Sequence, residues 1–62
     1  MGMLMLNRLM GESVIIGDGE DLVKIVVVEA RDGKARLGFI APKKIPIHRE
    51  EVYKQIKAKE AT

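Results

Sequence analysis

His48-Arg49-Glu50-Glu51 sets the chain's only imidazole and a guanidinium where a helix should begin. The amino end of a helix is already positive, so a cation there opposes the helix dipole. Local rules are often broken where a residue serves function. Arg49 is therefore the first candidate for chemistry.

Other chemistries find less support. The hydroxyls are Ser13, Tyr53 and Thr62, and only His48 could activate one of them. A Ser-His pair without a third orienting group is a poor nucleophile. Gly17-Asp18-Gly19 lacks the lysine of a phosphate loop and is flanked by acids. There is no cysteine, hence no disulfide and no thiolate metal site. His48 beside Glu50 and Glu51 is a weak metal cluster, because adjacent helical residues diverge. No catalytic residue, cofactor or metal is expected.

The 62 residues allow one domain, spanning 1–62. A domain so small buries only about 60 % of its unfolded surface. Without disulfide or metal, self-association is the remaining source of stability, and 47 % hydrophobic residues support it. The lack of cysteine fits a reducing cytoplasm. Residues 3–6 are apolar but too short for a signal core or a membrane span. Met1-Gly2 fails the myristoylation pattern because position 6 is Leu6.

The net charge of +2 is unevenly spread. Residues 1–30 carry two bases against five acids, a net −3. Residues 31–62 carry nine bases against four acids, a net +5. A basic half suggests a polyanionic partner, although lysines on a solvated helix would give the same count.

These groups must be positioned by short elements. Residues 3–8 read as a first strand, apolar on both faces until Asn7, which calls for cover on both sides. Residues 13–16 form a second strand, closed by Gly17 and an acidic, glycine-rich loop. Residues 22–31 and 34–40 flank Asp32-Gly33, the signature of a type I′ hairpin. That register sets Arg31 opposite Lys34, Glu29 opposite Arg36, Val28 opposite Leu37 and Val26 opposite Phe39. Val26, Val28, Ala30, Ala35, Leu37 and Phe39 then share the core face. Residues 45–48 read as a last strand, confined to an edge or to one-sided pairing by Pro46. A helix follows over about 49–59, with acids in its first turn, lysines in its last and a thin stripe of Val52 and Ile56. The fold class is mainly β with a carboxyl-terminal α-helix.

A nucleic-acid partner would have to be read by an unusual route. Phe39 and Tyr53 are the only aromatics and Phe39 is expected in the core, which argues against a stacking platform. There is no helix-turn-helix or zinc-finger pattern. Strand edges remain, whose backbone groups can meet the Watson–Crick edges of splayed bases while arginines take phosphates. Looped or single-stranded RNA fits this mode better than duplex DNA.

Met3-Leu4-Met5-Leu6-Asn7-Arg8, Gly11-Glu12, Ile16-Gly17-Asp18, Arg36-Leu37-Gly38, Ala41-Pro42-Lys43 and His48-Arg49-Glu50-Glu51-Val52-Tyr53 occur in an order that resembles the carbon storage regulator (CsrA/RsmA) family. The resemblance runs from Met3 to about Ile56 and is most specific in its last two motifs. It implies a bacterial post-transcriptional regulator: a five-stranded chain that forms an intertwined, strand-interleaved homodimer with projecting helices. Such a dimer binds GGA motifs in loops or single strands of mRNA leaders near ribosome-binding sites. It mainly represses translation, affects transcript stability and is sequestered by small RNAs carrying many GGA sites. In some bacteria a protein antagonist binds it.

Carried onto this chain, the family's RNA surface comprises Leu6, Asn7 and Arg8 from the first strand of one subunit. The last strand of the other contributes Ile45, Ile47, His48 and Arg49, and the preceding loop contributes Ala41, Pro42 and Lys43. Lys34 and Arg36 fall where flanking nucleotides would pass. The chain departs from the pattern at Asn7, where Thr or Ser is usual, and at Leu9, where many members have a base. It departs again at Glu29, where glycine is common, and around Gly19-Glu20-Asp21, where the loop is about three residues longer. A basic β dimer that binds DNA as a transcription factor and a protein-interaction module are the competing readings.

Overall fold

Asp32 and Gly33 adopt φ of 52° and 73°, the pair of positive values that a type I′ turn demands. This turn joins β2 (Val23–Arg31) to β3 (Lys34–Ile40), and β1 (Ser13–Ile16) pairs with the other side of β2. The sheet is antiparallel throughout, in the order β1-β2-β3, and a single helix, α1 (Glu50–Glu60), follows. The computed structural model describes residues 2–61, so the Met1-Gly2 start and the Thr62 hydroxyl lie outside the described residues in whole or part.

The hairpin register agrees with the sequence expectation at its tip and departs from it further down. Arg31 faces Lys34, Ala30 faces Ala35 and Glu29 faces Arg36. An irregularity between Val27 and Glu29 then shifts the ladder by one, so Val27 faces Leu37, Val26 faces Gly38 and Ile25 faces Phe39. The expected pairs Val28–Leu37 and Val26–Phe39 are thereby replaced. The cause is a β-bulge that leaves Val28 without a ladder partner. Gly38 provides the room: a Cβ built there would lie 3.3 Å from Val28 Cγ2.

The bulge also reassigns the apolar face. Partners in a ladder share a face, and the face alternates along each strand. Val14, Ile16, Val23, Ile25, Val27, Ala30, Ala35, Leu37 and Phe39 therefore line one side, and that side is wholly apolar. Val26 and Val28, expected on it, lie on the opposite side with Gly38.

The β1–β2 connection is a 3-10 turn over Gly19–Asp21. Asp18 Oδ1 accepts from the Gly19 amide at 2.8 Å, and the Asp21 amide donates to the Asp18 carbonyl at 3.2 Å. Gly17 has φ 83°, and a Cβ there would meet the Asp21 carbonyl oxygen at 3.0 Å, so glycine is required on both counts. α1 begins one residue later than expected because Arg49 is its N-cap, with extended backbone. Its acids and lysines complement the dipole, and Lys54–Glu50 (3.7 Å) and Lys57–Glu60 (3.0 Å) pair along its surface. α1 packs against none of the three strands.

Residues 3–8 and 45–48, expected as first and last strands, have no ladder partner within the chain. A strand is defined by its neighbour, and here the outer edges of β1 and β3 are themselves unpaired. Among the described residues none is buried, and Met3, Leu4 and Met5 are 85 %, 81 % and 82 % exposed. The accessible surface is 5983 Å², where a compact protein of 6.9 kDa has about 4,000 Å². The radius of gyration is 14.1 Å against about 10–11 Å for a compact chain of this length. The apolar face of the sheet is formed, but no residue on it is buried.

Candidate nucleic-acid interface

Seven of the twelve candidate residues line two separate depressions, and Lys34, Ala41, Pro42, Lys43 and Ile45 line neither. Leu6, Asn7 and Arg8 lie against Ser13, Val14 and Ile15 of β1. Ile47, His48 and Arg49 lie against Ala35, Arg36, Leu37 and Phe39 of β3, around an open groove of about 580 Å³. One chain thus brings Arg36 together with Ile47, His48 and Arg49 but keeps Arg8 apart from them.

Arg8 is held by its own turn. Its Nη2 is 3.0 Å from Glu12 Oε1, its Nη1 donates to the Ser13 carbonyl at 3.2 Å, and its Nε donates to the Asn7 carbonyl at 3.2 Å. The same Glu12 oxygen accepts from the Leu9 amide at 2.7 Å, and the Glu12 amide donates to the Leu9 carbonyl at 3.0 Å. Glu12 therefore closes the turn that leads into β1 and orients the guanidinium together. In the sequence Glu12 stands out only within the Gly11-Glu12 motif, and its spacing of four from Arg8 is the signal for this contact.

Arg49 is the opposite case. Its backbone caps α1, with its carbonyl accepting from the Tyr53 amide at 2.9 Å, while its side chain makes no capping bond. Among the described residues, Lys34, Arg36, Lys43 and Arg49 take part in no ion pair, whereas Arg8, Arg31 and Lys44 each hold a carboxylate. Four of the five expected cations are thus available to an anion. Ala41 and Pro42 are half-buried, Lys43 is exposed, and the Ile45 amide donates to the Pro42 carbonyl at 3.0 Å. That bond makes a turn of Pro42–Ile45 and displays Lys43 at its crest. Lys34 stands beside Arg31 at the hairpin tip.

Among the described residues no group of histidines, cysteines and acids could hold a metal ion, and no helix is long and apolar enough to cross a membrane. A small β sheet with a terminal helix, displaying unpaired cations and uncovered strand edges, has the outline of a binding domain. Residues 3–58 match the family model described as "CsrA: Global regulator protein family". Over 54 residues the chain is 50 % identical to the translational regulator CsrA of Rhodopirellula baltica, a match covering 87 % of this chain and 73 % of that protein. The chain belongs to the CsrA family of global regulators.

Proposed function

We propose that the chain is a translational regulator that works as an interleaved homodimer binding GGA motifs in looped or single-stranded mRNA leaders. The observation that carries this reading is Arg49: a guanidinium at a helix start, with no capping bond and, among the described residues, no ion pair. A phosphate or a base edge would supply the missing partner.

What one chain leaves undone supports the dimer. Two strand edges are open, and two runs, 3–8 and 45–48, have no ladder. The surface excess of about 2,000 Å² over a compact protein matches one subunit's share of an obligate interface, about 1,000–2,500 Å². Runs donated by a second copy would fill both edges and cover the apolar face. Each RNA surface would then join Leu6, Asn7 and Arg8 of one subunit to Ala41, Pro42, Lys43, Ile45, Ile47, His48 and Arg49 of the other. Lys34 and Arg36 would meet flanking nucleotides, and the dimer would carry two equivalent sites. Occupying a leader near the ribosome-binding site would mainly repress translation and would alter transcript stability, all in the cytoplasm. Small RNAs with many GGA motifs would compete for the sites, as a protein antagonist would.

Binding to a hairpin with GGA in its loop tests the reading, compared with the same hairpin carrying CCA and with duplex DNA. A clear preference for GGA is expected. Equal affinity for both hairpins would leave only charge attraction, preference for the duplex would favour a transcription factor, and no binding would favour a protein-interaction module.

A further inference from the structure

Lys44 Nζ lies 2.7 Å from Asp21 Oδ1. This pair ties the 3-10 turn to the loop that displays Lys43. The sheet order explains the meeting: β1 and β3 flank β2 and run the same way, so the segments that follow them emerge at one end. The turn is built to hold the carboxylate in place. The Asp18 side chain caps it at Gly19, the Asp21 amide returns to the Asp18 carbonyl, and Gly17 packs under the Asp21 carbonyl. On the other side, the Pro42–Ile45 bond fixes Lys43 and Lys44 as neighbours in one turn. Of two adjacent lysines, one is unpaired and the other is latched.

We infer that Asp21 is an affinity-setting residue, an electrostatic latch that withholds Lys44 from the RNA backbone. The inference rests on the RNA-binding reading given above. Asp18, Glu20 and Asp21 place three carboxylates in four residues beside the Ala41–Lys43 loop, and among the described residues only Lys44 answers them with an ion pair. Both partners are largely exposed, with side chains 61 % and 68 % accessible. Such a pair adds little to fold stability. It does decide whether one more cation can face a phosphate. Phosphate contacts act alike on all sequences and set the salt dependence. The latch therefore lowers sequence-independent attraction while leaving the backbone and Arg49 contacts to read the motif.

The test compares four full-length proteins: the wild type, Asp21→Asn, Lys44→Ala and the double variant. Affinities for the GGA and CCA hairpins are measured from 50 to 200 mM salt. Asp21→Asn should bind both RNAs about three- to tenfold more tightly at low salt, with the salt slope steeper by about 0.7, the value of one added phosphate contact on a single strand. Lys44→Ala should differ little from the wild type. The double variant should lose the gain. An Asp21→Asn protein that binds GGA RNA no better than a GGA-binding wild type overturns the latch alone. A gain that persists in the double variant also overturns it, because loss of negative charge would then suffice. A wild type that does not bind GGA RNA overturns the latch and the RNA-binding reading together.

Discussion

Glu29 and Arg36 face each other across β2 and β3, yet the Glu29 carboxylate binds Arg31 Nε at 3.2 Å along its own strand. Two residues apart on one strand share a face, so Arg31 competes directly with Arg36 for the same acid. The competition leaves Arg36 unpaired on the border of the groove that contains Ile47, His48 and Arg49. Arg36→Ala should therefore weaken RNA binding uniformly across sequences and flatten the salt slope by about 0.7. The melting temperature should barely move, since Arg36 contributes no ion pair. Titrations of the GGA and CCA hairpins at several salt concentrations provide the check; a change in GGA preference would instead make Arg36 a base reader.

Arg49 separates stability from binding. As an N-cap it contributes no side-chain bond to the free amides of α1. Arg49→Asp would supply that bond, and N-cap acids stabilise a helix by about 0.5–2 kcal/mol over poor caps. The same change removes the guanidinium proposed to meet RNA. Thermal melting followed by circular dichroism should show a more stable protein, while GGA-RNA affinity falls by at least ~1–3 kcal/mol, the usual size of a specific contact. Arg49→Ala should show the loss of affinity without the gain in stability. Full binding by either folded variant would remove Arg49 from the site.

The uncovered surface makes a prediction about assembly. Residues 3–6 are apolar and exposed, and Leu37 and Phe39 on the apolar face remain 49 % and 45 % exposed. Burying one large side chain stabilises a protein by about 1.5–3 kcal/mol, so an uncovered face forfeits most of the energy available to so small a domain. Sedimentation should find a dimer at every concentration at which the protein is folded. Leu4→Asp, which sets a charge in the most exposed apolar run, should lower the melting temperature at every protein concentration. A folded monomer at micromolar concentration would contradict the interleaved dimer.

Local chemistry was legible in the sequence; pairing at a distance was not. Asp32-Gly33 announced its turn because positive φ at two successive positions leaves few other choices, and the tip register followed from it. The helix start followed from acids after Arg49. The bulge left a fainter mark, a glycine at 38 where the alternation called for a side chain, and its partner Val28 could not be named without the ladder. Residues 3–8 and 45–48 have strand-like patterns, but no pattern within a chain says which edge, or whose, will receive them. For the site, the residue types pointed to Arg49, and the likeness to a family supplied Arg8 and the loop at Ala41-Pro42-Lys43. The hold of Glu12 on Arg8 and of Asp21 on Lys44 depends on turn geometry, which residue types alone do not set.

The bulge supplies the last prediction. Val28 Cγ2 occupies the space beside Gly38 that a side chain would need, at 3.3 Å from a built Cβ. Gly38→Val would force the two apart in the middle of the β2–β3 ladder, and overpacking of this kind costs typically about 1–3 kcal/mol. Val28→Ala removes the obstructing methyl groups, so the double variant Val28→Ala/Gly38→Val should recover part of that loss. Chemical denaturation of the four proteins yields the coupling between the two positions, expected at about 0.5–3 kcal/mol for residues in contact. Coupling near zero would mean that the bulge is set by something other than this contact. A substantial coupling would make Gly38 the residue that turns Ile25 and Val27, rather than Val26 and Val28, toward the apolar face.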